Sequence, residues 1–294
     1  MSETIGFIGL GLMGAGFCKR LIATGRSVVG YDLDPARRAE AEVLGVALAA
    51  SPAEVAERAN PVCIAVTTTK AVQAVVSGVG GILSAKPRPG AIVIDFSTTE
   101  IGVTKELAAA LAEAGIGFID APVSGGPPAA EAGKLAIMAG GTPEAIEAVR
   151  QLAESLGLFT HMGAVGAGQA TKLVNQALCL TNYVVVAESL RLAEAYGVDA
   201  DKIPAALAPG LGNSAVLQAM MPRMVARDFA PKGYARQVLK DLEMLMEAGR
   251  EQHLAMPMVA QATTLYRMLV AQGDSELDAI AVLKMLPEVG QPPH

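Results

Sequence analysis

The sequence predicts an α/β protein in two parts. A doubly wound parallel sheet is expected over residues 1–163 and an all-helical domain over residues 164–294, joined by a long interdomain helix. Three observations carry this. Short β-branched or aromatic runs alternate with Ala-rich helical stretches through the first half. A glycine-rich turn follows the first of those runs. Past Gly163 a small-residue hinge, residues 164–168, gives way to long segments with helical spacing and no convincing strand.

The strand candidates of the first half are residues 5–8, 27–31, 62–66, 91–94 and 117–119, each bounded by turn residues. Helical stretches at 37–44, 52–58 and 104–114 lie between them, and strands alternating with helices imply a parallel sheet. Two further strands, 135–139 and 158–161, flank a helix at 143–155. In the second half, helices are expected at 169–196, 215–226, 235–251 and 257–271, with a short last one beginning at Asp278. The middle of the helix 169–196 is apolar nearly all round, so neighbouring helices or a second subunit must cover it. A homo-oligomer, a dimer or a tetramer, is the expectation.

Composition narrows the function classes. Of 294 residues, 52% are hydrophobic and 18% charged, which supplies a core and excludes disorder. A formal net charge of −6 argues against a nucleic-acid partner, although one local cation suffices for a small anion. Cys18, Cys63 and Cys179 are scattered through apolar runs, which reads as buried thiols in a reducing compartment rather than a disulfide framework or metal site. No secretion leader is read before the first strand. The most apolar stretch, 173–187, is interrupted by Asn175, Gln176 and Asn182 and is too short to span a bilayer. A cytoplasmic protein with no membrane partner is expected.

The first run is followed by Gly9-Leu10-Gly11-Leu12-Met13-Gly14. This is the spacing of a dinucleotide-binding turn. The first glycine permits the tight turn, the second lets backbone amides approach a pyrophosphate, and the third lets the next helix pack on the sheet. The second strand ends in Tyr31-Asp32, an acidic residue about 20 positions on, where a carboxylate accepts from the adenosine ribose hydroxyls. It also repels a 2′-phosphate, so NAD is favoured. Arg37 and Arg38 keep NADP open, because an arginine near that site can pair with the phosphate.

Three later motifs complete the pattern: Asp120-Ala121-Pro122-Val123-Ser124-Gly125-Gly126, then residues 166–176 with Gly166, Gly168, Lys172, Asn175 and Gln176, then Leu239-Lys240-Asp241-Leu242. Together with the glycine turn, and in this order from about residue 4 to 285, the sequence resembles the β-hydroxyacid dehydrogenase family, which includes 3-hydroxyisobutyrate dehydrogenase and tartronate semialdehyde reductase. The resemblance implies a Rossmann-type domain followed by an all-helical domain. It implies Lys172 as the catalytic lysine, Ser124, Gly125 and Gly126 as the loop that holds the substrate carboxylate, and Asn175 as the amide that fixes the substrate. It also implies Thr67 and Thr98 beside the cofactor, with Lys240 reaching the cleft from the second domain. The sequence departs from the family where Thr67-Thr68-Thr69 replaces a Leu-Pro continuation, where Pro128 stands for a common glycine, and where Gln176 replaces a second asparagine.

The chemistry explains these residue types. Oxidising an alcohol moves a hydride to the nicotinamide and a proton off the oxygen. A lysine can move the proton if its charged form is disfavoured, as burial and a positive nicotinamide would both ensure. Lys172, Asn175 and Gln176 fall at i, i+3 and i+4 and so share one helix face. The glycine pair after Ser124 exposes backbone N–H groups suited to a carboxylate. His161 and His253 read as structural or surface residues, and Lys240-Asp241 has the alternative of a surface pair on a helix. The expected activity is interconversion of a short β-hydroxy acid and its semialdehyde. Two other readings are an imine or other reductase on the same scaffold and a non-catalytic NAD(P)-binding scaffold protein. Lys172 counts against the first, and Lys172, Asn175 and the Ser124 loop together against the second.

Overall fold

The computed structural model describes residues 4–86 and 88–288. The chain divides into two compact units, Met1–Lys172 and Leu173–His294.

The first unit opens with β1 (Thr4–Ile8), α1 (Leu12–Ala23), β2 (Ser27–Tyr31), α2 (Pro35–Val43), β3 (Ala47–Leu48), α3 (Pro52–Arg58), β4 (Val62–Ile64) and α4 (Thr69–Ser77). It continues with β5 (Ile92–Asp95), α5 (Ile101–Glu113), β6 (Gly117–Asp120), β7 (Val123–Ser124), α6 (Gly126–Ala132), β8 (Leu135–Gly140), α7 (Pro143–Glu154) and β9 (Gly157–Gly163). The sheet order is β3-β2-β1-β4-β5-β6-β8-β7, with β9 pairing β8. The first six of these are parallel. Chain direction across the sheet reverses between β1 and β4, so the strand ends there form the crevice where doubly wound sheets take ligands.

Local sequence explains the helix starts. Asp34, Ser51, Thr68 and Thr142 each accept a backbone N–H from the first turn of the helix that follows, and three of those helices open on proline. Alternation along the strands divides the core. Ile5 and Phe7 face one side, where Phe17 stacks on Phe96 at 4.7 Å between ring centres. Ile8 joins Val55, Ile64 and Leu107 on the other side. One seam bears on the site. A Cβ at Gly16 of α1 would stand 3.0 Å from Pro127 O and 3.1 Å from Ala130 Cβ, so α1 and α6 are in backbone-close contact.

The sheet is not wholly parallel as expected. β8 runs antiparallel to both β6 and β7. Hydrophobic spacing reports which residues are buried but not which way a strand runs. The strands β3 and β7 have two residues each and carry no periodicity to read. Gly126, expected as the end of a loop, opens α6 together with Pro127 and Pro128, because proline is tolerated in a first helical turn.

The helix α8 (Ala167–Ala195) runs through the boundary into the second unit. There follow α9 (Ile203–Leu207), α10 (Ala215–Val225), α11 (Ala235–Glu251) and α12 (Pro257–Ala271). The last expected helix is a 3-10 stretch, Ala279–Met285, whose N-cap is Asp278. That carboxylate also pairs with Arg223 at 3.0 Å and accepts the Lys232 N–H at 2.6 Å. The core gathers Leu180, Leu190, Met221, Leu242, Tyr266 and Leu283. Among the described residues the second unit has no strand beyond the single Tyr234–Asp278 bridge, and no helix is long and apolar enough to cross a membrane. The covering of α8 is one-sided: Leu180, Ala187 and Leu190 are buried, while Val174, Leu178 and Leu192 are exposed.

Candidate active site

The glycine turn joins β1 to α1. Gly9 has φ +94° and donates its N–H to Tyr31 O at 2.9 Å. A Cβ on Gly14 would lie 1.9 Å from Gly9 O, so only glycine lets α1 begin this close to the turn. At Gly11 the same construction meets nothing within 4 Å. The turn is therefore packed on its inner side at Gly9 and Gly14 and open at Gly11, the cradle a pyrophosphate requires. Gly11 is also the N-cap of α1 and makes no side-chain cap, which leaves first-turn N–H groups for an anion. Leu10 is buried, Met13 half-buried and Leu12 exposed.

Asp32 joins this turn. Its Oδ2 accepts Leu10 N–H at 2.7 Å and its Oδ1 accepts Asp34 N–H at 2.8 Å. The carboxylate is thereby held beside the turn with lone pairs left over, as a ribose ligand requires. Arg37 is engaged by Glu40 at 2.8 Å.

The ends of β4 and β5 carry Thr67 and Thr98. Thr67 is exposed, and Thr98 is half-buried between buried Ser97 and Thr99. Ser97 ties these ends together by accepting Val66 N–H on its hydroxyl at 3.0 Å.

The second glycine turn follows β7. Gly125 and Gly126 have φ +129° and +72°, which point successive backbone groups in directions an L-residue seldom allows. Lys172, only 7% exposed, donates from Nζ to Val123 O at 2.8 Å. This bond brings Lys172 to the strand that leads into Ser124, Gly125 and Gly126, although 49 positions separate the partners.

Two groups that the motifs contain but sequence reasoning left without a role hold α8. Asp120, fully buried, accepts Gly166 N–H and Gln169 N–H, each at 2.8 Å. Burial pushes its carboxyl up to about 6, against the pull of those backbone donors. Gln169 is buried as well and bonds to Ser97 and Thr99. The readable signal for both was a polar residue inside a motif, with no hint of its partner.

In the second unit, Asn175 Nδ2 donates to Gln176 Oε1 at 2.8 Å, and Gln176 Nε2 donates to Asp241 Oδ2 at 2.5 Å. Lys240 Nζ stands 3.0 Å from Asp241 Oδ1 as an ion pair, without the angle of a hydrogen bond. The residues expected from the second and third motifs, Asn175 and Lys240, are thus linked through Gln176 and Asp241.

Other candidates resolve simply. His161 Nε2 is within 3.0 Å of Gly141 O and 2.8 Å of Gly163 O, a backbone brace, and His253 is exposed. Cys18 and Cys63 are buried, and burial pushes the Cys18 thiol up to about 12, while Cys179 is only half-buried. Among the described residues no cluster of His, Cys, Asp and Glu has the makings of a metal site.

Two family models match the chain: the NAD binding domain of 6-phosphogluconate dehydrogenase over residues 4–190, and the NAD-binding of NADP-dependent 3-hydroxyisobutyrate dehydrogenase over residues 166–286. Fold and turn thus define an NAD(P)-binding oxidoreductase. A probable 3-hydroxyisobutyrate dehydrogenase-like 3 protein of Arabidopsis thaliana is 34% identical over 96% of this chain and 86% of the relative. The L-threonate dehydrogenase of Cupriavidus necator is 33% identical over 99% of both. The solved structure of Mycobacterium tuberculosis 3-hydroxyisobutyrate dehydrogenase with L-serine superposes with a TM-score of 0.84 at 31% identity, covering 97% of this chain and 99% of that one. The chain belongs to the 3-hydroxyisobutyrate dehydrogenase-like family of β-hydroxyacid dehydrogenases, enzymes that use NAD(P) to oxidise or reduce a short hydroxy acid or its carbonyl partner.

Proposed function

We propose that the chain interconverts a short 3-hydroxy carboxylate and its semialdehyde, with NAD preferred and Lys172 as the proton-transfer residue. The observation that carries this reading is the 2.8 Å bond from Lys172 Nζ to Val123 O, beside the turn 124–126. When bound, the nicotinamide exchanges the hydride with the carbinol carbon. Lys172 Nζ takes the proton from the alcohol oxygen in oxidation and returns it in reduction. Backbone N–H groups of Gly125 and Gly126, with the Ser124 hydroxyl, hold the substrate carboxylate. Asn175, three residues past Lys172 on the same helix, orients the substrate. Gly9 to Gly14, Asp32, Thr67, Thr98 and Lys240 hold the cofactor. The preference for NAD is supported by Asp32, whose carboxylate stands beside the turn where a 2′-phosphate would meet like charge. In domain terms, residues 1–163 bind the dinucleotide, and residues 164–294 serve the substrate and the subunit contact.

The test is absorbance at 340 nm with NAD or NADP and a panel of 3-hydroxyisobutyrate, 3-hydroxypropionate, glycerate, L-threonate and L-serine, run beside Lys172→Ala. The expected result is NADH formation on a 3-hydroxy acid that falls about 10³-fold or more in the variant, the scale of a lost acid–base group. Full turnover by Lys172→Ala overturns the mechanism. The exposed Val174, Leu178, Val185 and Leu192 form one stripe along α8 and support a homodimer or homotetramer. The buried thiols support a cytoplasmic setting. Light scattering that gives a monomer overturns the former, and cell fractionation that finds the protein in an organelle overturns the latter.

A further inference from the structure

Gln169 stands one turn before Lys172, is 1% exposed, and takes part in none of the steps above. Its Nε2 donates to Ser97 O at 2.8 Å, and its Oε1 accepts Thr99 N–H at 3.0 Å. One side-chain amide thus clasps the backbone on both sides of Thr98. Its own backbone N–H goes to Asp120 Oδ2, while the other oxygen of that carboxylate takes Gly166 N–H. The first turn of α8 is therefore pinned twice, to the end of β6 and to the segment after β5. The clasped segment is itself held: Ser97 Oγ accepts Val66 N–H at 3.0 Å, and Thr99 Oγ1 and Thr104 Oγ1 are 2.9 Å apart.

An apolar chain of the same volume would leave Ser97 O and Thr99 N–H, both in buried residues, without these partners. Beyond satisfying them, the amide adds registry. Two bonds of opposite polarity, 3.0 Å or shorter, close at only one offset between α8 and residues 97–99. Lys172 follows at i+3 on the same side of the helix, so any slide or rotation of that turn displaces its ammonium.

We propose that Gln169 is a positioning residue for the proton transfer: its clasp on Ser97 and Thr99 sets where the Lys172 ammonium stands relative to the segment that flanks the nicotinamide. This rests on the reading of Lys172 and Thr98 given above.

The experiment compares full-length wild type, Lys172→Ala, Gln169→Met and Gln169→Glu, assayed with NAD and the panel acid that turns over fastest. In parallel, with neither cofactor nor substrate, lysines are acetylated with acetic anhydride and read by peptide mass spectrometry. Gln169→Met is expected to lower kcat about 10- to 100-fold, the scale of an ångström-sized misplacement, with little change in KM. It also speeds acetylation of Lys172 while leaving the other lysines at wild-type rates. In Gln169→Glu the ionised carboxylate repels Ser97 O, but the protonated form both donates to Ser97 O and accepts Thr99 N–H. Its kcat relative to wild type therefore recovers as pH falls, which a loss of packing does not produce, and this arm stands even if the methionine variant fails to fold. Wild-type kcat and Lys172 acetylation in Gln169→Met, with Lys172→Ala inactive, overturn the clasp alone. Faster acetylation of all lysines together, with no recovery of Gln169→Glu at low pH, reduces Gln169 to a structural residue and overturns it too. Full turnover by Lys172→Ala overturns the reading of Lys172 and the proton-transfer role of the clasp with it.

Discussion

Two glycine-rich turns in the first unit, at 9–14 and 124–126, are held in different ways. In the first, a Cβ would strike backbone: one on Gly14 would meet Gly9 O at 1.9 Å, and one on Gly9, itself at φ +94°, would meet Ala65 O at 2.3 Å just past β4. In the second, Gly125 is at φ +129°, and the nearest obstacle to a Cβ is the methyl of Ala129 at 2.7 Å, in the helix that the turn itself opens. A turn fixed by its neighbours transmits any change to the sheet. A turn whose nearest obstacle is a methyl of the helix it opens passes less of the change to the sheet. Under the proposed function, the cofactor turn is then a rigid platform and the turn assigned to the substrate carboxylate is the adjustable part.

The sharpest way to break this comparison is Gly14→Ala. The added methyl must displace backbone, at a cost of about 3 kcal/mol, the upper end for overpacking. Taken wholly from binding, that weakens the NADH Kd about 100-fold. Fluorescence titration with NADH and a thermal melt read the two components, and a variant with wild-type Kd and Tm would show that the platform is not rigid. The smaller effect is Gly125→Ala, which forces an alanine into an unfavourable conformation at a cost of about 1–3 kcal/mol. Here KM for the hydroxy acid is expected to rise about 30-fold, the middle of that cost, with NADH affinity unchanged. A parallel loss of NADH affinity would make the two turns one mechanical unit.

The same contrast separates what the sequence revealed from what it hid. The turn from Gly9 to Gly14 was legible because close packing demands glycine at fixed spacing, and spacing is a property of sequence. The parallel strands and the helix that bears Lys172 were legible through periodicity. Gln169 was not. Near the start of an apolar helix a glutamine reads as a solvated residue, and its partners Ser97 and Thr99 lie about 70 positions away. Asp120 was quoted within a motif, but its grip on Gly166 and Gln169 depends on β6 ending opposite α8, which no local pattern encodes. The antiparallel β8 was hidden for a related reason, since strand direction is decided by the connection and not by the strand.

The seam at Gly16 bears on enzyme engineering. The helix that begins at the cofactor turn is also the bed on which α6 lies, with Pro127 O about 3 Å from where a methyl on Gly16 would be, and α6 starts at the carboxylate turn. Transplanting the first thirty residues of another dehydrogenase to change cofactor preference would bring a foreign residue to that bed, together with a new partner for Glu131 in place of Lys19. If the turn at 124–126 holds the substrate as proposed, a chimera that ignored the seam would alter substrate affinity while only its nucleotide half had been edited, so the exchangeable cassette is the pair of helices and not the fingerprint alone.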